Sequence, residues 1–217
     1  MARRVVLSVG TKRGLFLVES GIGRRRWSVR GPYLKGWSVP YAFVDTRGRR
    51  ARIHASASHF TYGSTTLAGP LSGRRFTPAA EPIEFPELNP KASRFVEQYG
   101  IDRSKKVWII APGPEDQKRV LYAGTAPAGL FRSEDGGRTW APVEGLNRHP
   151  SRKDWFPGAG GQALHSFQID PREPRRMWAA ISAAGAFRSE DGGQRWEPIN
   201  RAVAEYVGAP KESLVGT

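Results

Sequence analysis

The chain contains no cysteine. A disulfide framework, a thiolate nucleophile and Cys-ligated zinc or iron–sulfur are thereby excluded. No apolar run approaches the roughly 18 residues that a membrane-spanning helix requires, so no membrane segment is expected. Only seven uncharged residues separate Arg4 from Lys12, too few for a secretory h-region. A cytoplasmic location is the resulting expectation. Acidic residues are scarce too, 20 Asp and Glu against 34 Lys and Arg, for a net charge of +14. The imbalance is local: residues 1–52 hold thirteen Lys or Arg and two acids, Glu19 and Asp45. Such a skew fits an anionic partner reached through the basic N-terminal region. Yet 26 of the 34 basic residues are Arg, and no nucleic-acid motif accompanies them, which weighs against nucleic acid. What remains is globular composition, 39% hydrophobic over 217 residues, enough for one domain with a buried core.

Internal repetition organises the chain. Gly129-Leu-Phe-Arg-Ser-Glu-Asp-Gly-Gly-Arg-Thr-Trp140 recurs as Gly185-Ala-Phe-Arg-Ser-Glu-Asp-Gly-Gly-Gln-Arg-Trp196, with nine of twelve positions identical at an offset of 56. A period of that size indicates a solenoid, propeller or similar array. Within each unit, short apolar runs alternate with turn clusters, the pattern of successive hairpins. Strands are expected at Lys106–Ala111, Val120–Gly124, Leu130–Ser133 and Arg138–Val143, and again at Ala163–Asp170, Met177–Ile181, Ala186–Ser189 and Gln194–Ile199. We label the four strands of a unit A, B, C and D. Two worn units lie upstream. The first shows three strands and keeps Ser20 and Trp27 at the spacing of Ser133 and Trp140. The second places Phe76 where the Trp would stand and Leu71 where the Asp would. The units span about 4–30, 41–78, 106–143 and 163–199, with an insertion at 79–105 and a tail at 200–217, all in one domain.

The string Ser-x-Asp-x-Gly-x-x-Trp resembles the Asp-box, or BNR repeat, of sialidases and related glycoside-hydrolase-like β-propellers. The fuller strings at 129–137, 155–161 and 164–166 resemble a bacterial family of sialidase-like, BNR-repeat glycosyl hydrolases. The resemblance implies an all-β propeller of four-stranded antiparallel blades with Asp-box C–D turns. About four blades are present. Propellers close with about 4–8 blades, so both a small closed wheel and an incomplete one stay open.

The repeated turn reads as structural. Asp135 and Asp191 can accept bonds from turn N–H groups, with Ser133 and Ser189 adding a hydroxyl. Gly137 and Gly193 supply positive φ, and Trp140 and Trp196 supply apolar area between neighbouring sheets. In an up-and-down blade the A–B and C–D turns share one end. The long D-to-A connections, 31–40, 79–105 and 144–162, then project from the other end, where ligand contacts are expected.

That loop-rich end supplies the candidate ligand-binding residues. The third connection carries His149, Arg152, Lys153, Asp154 and Trp155, and leads into His165 on an inner strand. Trp37 on the first connection, and His59 and Tyr62 on the B–C turn of the second unit, can complete the same mouth. A tryptophan beside charged and imidazole groups suits a sugar or other polar ligand; an aromatic plug of the axis is the competing reading. In the second connection, Asn89-Pro90 and Gly100 bracket a short helix with Ala92, Phe95, Val96 and Tyr99 on one face.

No catalytic residue is assigned. The Phe/Tyr-Arg-Ile-Pro string of sialidases is absent, and neither Tyr62 nor Tyr99 has an identifiable partner acid. His54, His59, His149 and His165 lack metal-site spacing, and the Gly158–Gly161 run lacks the phosphate-cradle pattern, so no metal and no cofactor are expected. The readings carried forward are a carbohydrate or polar-ligand binder, a protein-interaction or self-assembling scaffold, and an anionic-polymer binder.

Overall fold

The computed structural model describes residues 4–101, 104–158, 160–182 and 184–201. Four antiparallel sheets follow one another along the chain, each with its strands in sequence order. The first is β1 (Arg4–Thr11), β2 (Gly14–Gly21) and β3 (Trp27–Tyr33). The second is β4 (Ser38–Asp45), β5 (Arg52–His59), β6 (Gly63–Pro70) and β7 (Thr77–Pro78). The third is β8 (Lys106–Pro112), β9 (Leu121–Ala126), β10 (Leu130–Ser133) and β11 (Ala141–Pro142). The fourth is β12 (Leu164–Ile169), β13 (Met177–Ile181), β14 (Gly185–Ser189) and β15 (Glu197–Pro198).

The outermost strands are shorter than expected, two residues at Ala141–Pro142 and at Glu197–Pro198. The turn aspartates explain this. Asp135 captures the N–H groups of Arg138 and Thr139, and Asp191 those of Gln194 and Arg195, so these residues belong to the turn rather than the ladder. The first sheet has three strands because it lacks an inner one. Ser20 pairs with Trp27 across β2 and β3, which flank a turn placed like the β10–β11 turn. Its strands therefore correspond to B, C and D, and β1 meets β4 at the inner edge, where Ser8 Oγ donates to Ala42 O over 2.8 Å.

Period-two alternation gives each sheet two apolar faces, and the core lies between sheets. Leu15 and Leu17 of the first sheet meet Ile53, Ala55 and Ala57 of the second. Val107, Ile110, Ala123 and Phe131 of the third meet Tyr41 and Phe43 of the second. Tyr122 and Leu130 then point the other way, toward Phe167, Met177, Ala179, Ile181 and Phe187 of the fourth. Burying a large apolar side chain in this way contributes about 1.5–3 kcal/mol. Among the described residues, no apolar cluster joins the first sheet to the fourth. The outer face of the first sheet is left uncovered: Leu7 is 47%, Val9 40%, Trp27 42% and Val29 65% exposed.

The ends of the sheets sort as strand parity requires. Gly136 N donates to Arg119 O and Gly192 N to Arg175 O, so the Ser-x-Asp turns sit beside the A–B turns. The long connections leave from the other end. One carries helix α1 (Pro90–Gln98), capped by Asn89 Oδ1 accepting from Ala92 N at 2.9 Å. Its Ala92 and Val96 are buried, while Phe95 packs on Phe156 and Tyr99 stays exposed. Another folds into α2 (Glu144–Asn147) and a 3-10 turn at Pro150–Asp154. Asn147 bonds both the N–H and the carbonyl of Leu130, substituting for a further stretch of outer strand.

Candidate functional site

The two repeated turns are closed hydrogen-bond systems. Ser133 Oγ donates to Asp135 Oδ1 at 2.9 Å and accepts from Gly137 N at 2.9 Å; Asp135 Oδ2 takes the Thr139 hydroxyl at 2.8 Å. Ser189, Asp191 and Gly193 repeat the Ser–Asp and Ser–Gly bonds at 2.9 Å each. Gly137 and Gly193 hold φ of 88° and 93°, where a side chain would be strained. Partial burial pushes the Asp135 carboxyl up, but the bonds from Thr139, Ser133 and Arg138 outweigh it and bring it down to about 2. Trp140 Nε1 reaches the neighbouring sheet, donating to Thr66 Oγ1 at 3.0 Å, and Trp196 Nε1 donates to Gly193 O at 3.0 Å. Ser133, Ser189 and the Oδ1 atoms of Asp135 and Asp191 are thus committed to their turns.

The third connection turns its richest residues inward. Trp155 is 1% exposed and packs on Phe187 with ring centroids 5.4 Å apart. Its Nε1 donates to Ser151 Oγ at 3.0 Å, and its carbonyl accepts from Asn89 Nδ2 at 2.7 Å. Trp155 is therefore a core plug and not a ring at the channel mouth. His149 Nδ1 accepts from Ser151 N, which leaves Nε2–H to donate to Trp196 O at 3.2 Å. Arg152 lies over the Trp155 ring, 5.0 Å from its centroid, and donates to Ala128 O; burial pulls its pKa down. Lys153 and Asp154 are exposed on the 3-10 turn, and His165 is exposed on β12 with Nδ1 3.0 Å from Ser166 Oγ.

The other half of the expected mouth does assemble. The Trp37 ring lies 5.2 Å from that of His59 and 6.1 Å from that of Tyr62, nearly parallel to the latter at 19°. His59 is 4.9 Å from Tyr62 and 4.6 Å from Phe60. Phe60 and Tyr62 face solvent, 97% and 74% exposed, while Trp37 and His59 are half-buried. The cluster follows from topology, because the β3–β4 connection and the β5–β6 turn share the loop-rich end. His59 also walls a groove of about 840 Å3 bordered by Lys12, Phe60, Lys105, Lys106 and Trp108. Lys106 Nζ sits 5.2 Å from the Trp108 ring centroid. Lys153, Asp154 and His165 do not border this groove. Phe60, Trp108 and the lysines are not among the sequence-based candidates; the signal for them is the Lys105-Lys106-Val107-Trp108 string at the start of an inner strand.

Part of the N-terminal charge is used internally. Arg4 and Arg30 pair with Glu19, and Arg47 with Asp45. Among the described residues no cluster of His, Asp and Glu has the makings of a metal site, and no helix is long and apolar enough to cross a membrane.

No protein-family profile matches the chain. An 89-residue stretch is 29% identical to the oligoxyloglucan-reducing end-specific xyloglucanase of Emericella nidulans, covering 40% of this chain and 10% of that protein. In structure, the chain is similar to the GH74 xyloglucanase from Xanthomonas campestris, with a TM-score of 0.56 at 19% identity over 92% of this chain and 29% of that one. It is similar to the GH74 enzyme of Niastella koreensis, with a TM-score of 0.54 at 17% identity over 90% and 29%. YCF48 from Cyanidioschyzon merolae gives 0.52 at 15% identity over 88% and 52%. Such identities speak for the fold, which is that of β-propeller blades. The chain spans a tenth of the curated relative and between 29% and 52% of these structures.

Proposed function

We propose that this chain is a set of Asp-box propeller blades that binds a carbohydrate or similar polar ligand in the groove at its loop-rich end. The observation that carries the reading is the packing of Trp37 and Tyr62 on His59, which walls a groove that Trp108 and three lysines border. Exposed indole and phenol rings stack on the C–H faces of sugars, while ammonium and imidazole groups bond hydroxyls or a sugar carboxylate. The xyloglucanase stretch and the GH74 likeness support a carbohydrate rather than another polar ligand. Glycoside hydrolysis uses two carboxyl groups, typically about 5–10 Å apart. Among the described residues, those lining the groove include no Asp or Glu. The proposal is therefore one of binding, and a sialidase-like activity has no residues assigned to it. A glycan array tests it, followed by titration of the best glycan into Trp37→Ala and Tyr62→Ala. Binding that drops at least tenfold in both variants supports the reading; an empty array, or unchanged affinity in both variants, removes it.

A second reading, a protein-interaction or assembly scaffold, draws on the uncovered outer face of the first sheet. Leu7, Val9, Trp27 and Val29 form an apolar strip where a blade would normally find a neighbour. Light scattering on the purified chain, with Val29→Lys alongside, tests it: an assembly that the lysine disperses supports this reading, and a monomer in both cases refutes self-association.

A further inference from the structure

At the end of the sheets away from the groove, a cleft of about 510 Å3 opens between the second and third sheets. Its floor holds Asp45, His54 and Ala68, and its walls are the 48–52 segment, Lys118–Arg119 and the Asp135–Arg138 turn. Five exposed cationic side chains border it: Arg50, Arg52, Lys118, Arg119 and Arg138. They come from three separate turns, so the fold rather than the sequence brings them together.

Both carboxylates in the cleft are already engaged. Arg47 grips Asp45 from Nε and Nη2, at 3.0 and 2.8 Å. Asp135 is held by Ser133, Arg138 N and Thr139. Among the described residues, none of the five bordering cations lies within 4.0 Å of a carboxylate oxygen; Arg119 contacts only the backbone carbonyl of Asp135, at 3.4 Å. Several cations elsewhere are paired. Arg176 meets Asp170, Glu173 and Glu190; Arg188 meets Glu190 and Glu197; Arg148 meets Glu144. Five like charges gathered on a concavity raise the local potential and concentrate counter-ions there. Four of the five groups are guanidinium forks, suited to bidentate bonds with tetrahedral oxyanions.

We propose that this cleft binds a small, multiply charged anion carrying two or more phosphate or sulfate groups. Its size lies within the range of small-molecule sites, about 300–1,000 Å3. It is walled on three sides, which fits a compact anion better than a long nucleic-acid strand.

Calorimetric titrations of the intact chain at 0.15 M salt with tripolyphosphate, sucrose octasulfate and a dodecathymidine strand test this. The variants are Arg52→Gln/Arg119→Gln in the cleft and Arg24→Gln/Arg25→Gln, on the β2–β3 turn and outside the cleft lining, as a control of equal charge loss. A further cleft variant, Lys118→Gln/Arg138→Gln, guards against misfolding of the first, with each fold checked by circular dichroism. We expect one saturable site for tripolyphosphate or the octasulfate, weakened at least tenfold in a folded cleft variant and unchanged in the control; which anion binds tells phosphate from sulfate. No saturable binding of either small anion, equal losses in cleft and control variants, or tighter binding of the strand than of both small anions would overturn it.

Discussion

Asp45 and Arg47 form a buried, bidentate ion pair that ties the second sheet to the third. The remaining guanidinium N–H groups of Arg47 donate to carbonyls of the β8–β9 turn: Gly113 at 2.8 Å, Pro114 at 3.2 Å, Gln117 at 3.4 Å and Val120 at 3.1 Å. Both side chains are under a tenth exposed. Removing one member strands the other as a buried charge, a loss of about 3–5 kcal/mol. Urea denaturation of Asp45→Asn and Arg47→Met is expected to show that loss. Arg47→Lys recovers only part of it, because a lysine cannot reproduce the fork. A midpoint unchanged in all three would contradict the clamp.

His54 lies beside this pair, stacked on Phe43 with centroids 5.3 Å apart and Nε2 3.9 Å from Asp45 Oδ2. Burial above all, with Arg52 and Arg47 adding to it and Asp45 opposing, lowers its pKa to about 4. The unfolded chain protonates first, so stability is full above about pH 6.5 and falls between pH 6.5 and 4, by about 3 kcal/mol at most. Asp45 adds a second loss at lower pH. Burial raises its pKa but the Arg47 bonds outweigh this and hold it below the usual carboxylate value, so its contribution disappears as pH falls below about 4. Thermal melts from pH 7.5 to 4.5 are expected to show the first loss in the wild type and a much flatter profile in His54→Phe. An equal slope in both would exclude His54 as its source.

The turn aspartates are expected to matter for stability and not for ligand. Asp135→Ala removes a carboxylate that bonds Arg138 N, Thr139 N and the Thr139 hydroxyl. Hydrogen bonds to charged groups contribute about 1.5–3 kcal/mol, and a loss in that range is expected on denaturation for Asp135→Ala and for Asp191→Ala. Glycan affinity is expected to stay within twofold of the wild type. A folded variant that had lost affinity would give the turn a role in recognition.

Trp155→Ala is expected to cost about 3–5 kcal/mol, the range for deleting a buried aromatic. The loss should reach the fourth sheet, because Trp155 packs on Phe187 and its partner Ser151 contacts His149, which bonds Trp196 O. Near-ultraviolet circular dichroism and urea denaturation measure it. A stable variant that had lost glycan binding would return Trp155 to the ligand site.

Local chemistry explains what the sequence made legible. Ser133, Asp135 and Gly137 dictate their turn within five residues, and Asn89 with Pro90 starts a helix without help from the rest of the chain. Strand parity then sorts the loops by end, which is how Trp37, His59 and Tyr62 could be grouped. Burial was harder to read. Trp155 stands in a loop as polar as that around Trp37, and only the packing of Phe187 and Ser151 against it decides that it turns inward. The Arg47 clamp and the five-cation cleft were illegible for a related reason: their members lie on turns of different sheets, and nothing in the spacing of Arg52, Lys118 and Arg138 announces that they meet.

Sugar binding at the loop-rich end is the proposal on which the function rests. It is tested most directly by amide and aromatic NMR shifts of the full chain during titration with xyloglucan-derived oligosaccharides and the best array glycan. Saturable shifts are expected at Trp37, His59, Tyr62 and Trp108, with Asp135 and Asp191 undisturbed. Saturable shifts confined to the Asp135 and Asp191 turns, or none anywhere, would contradict it.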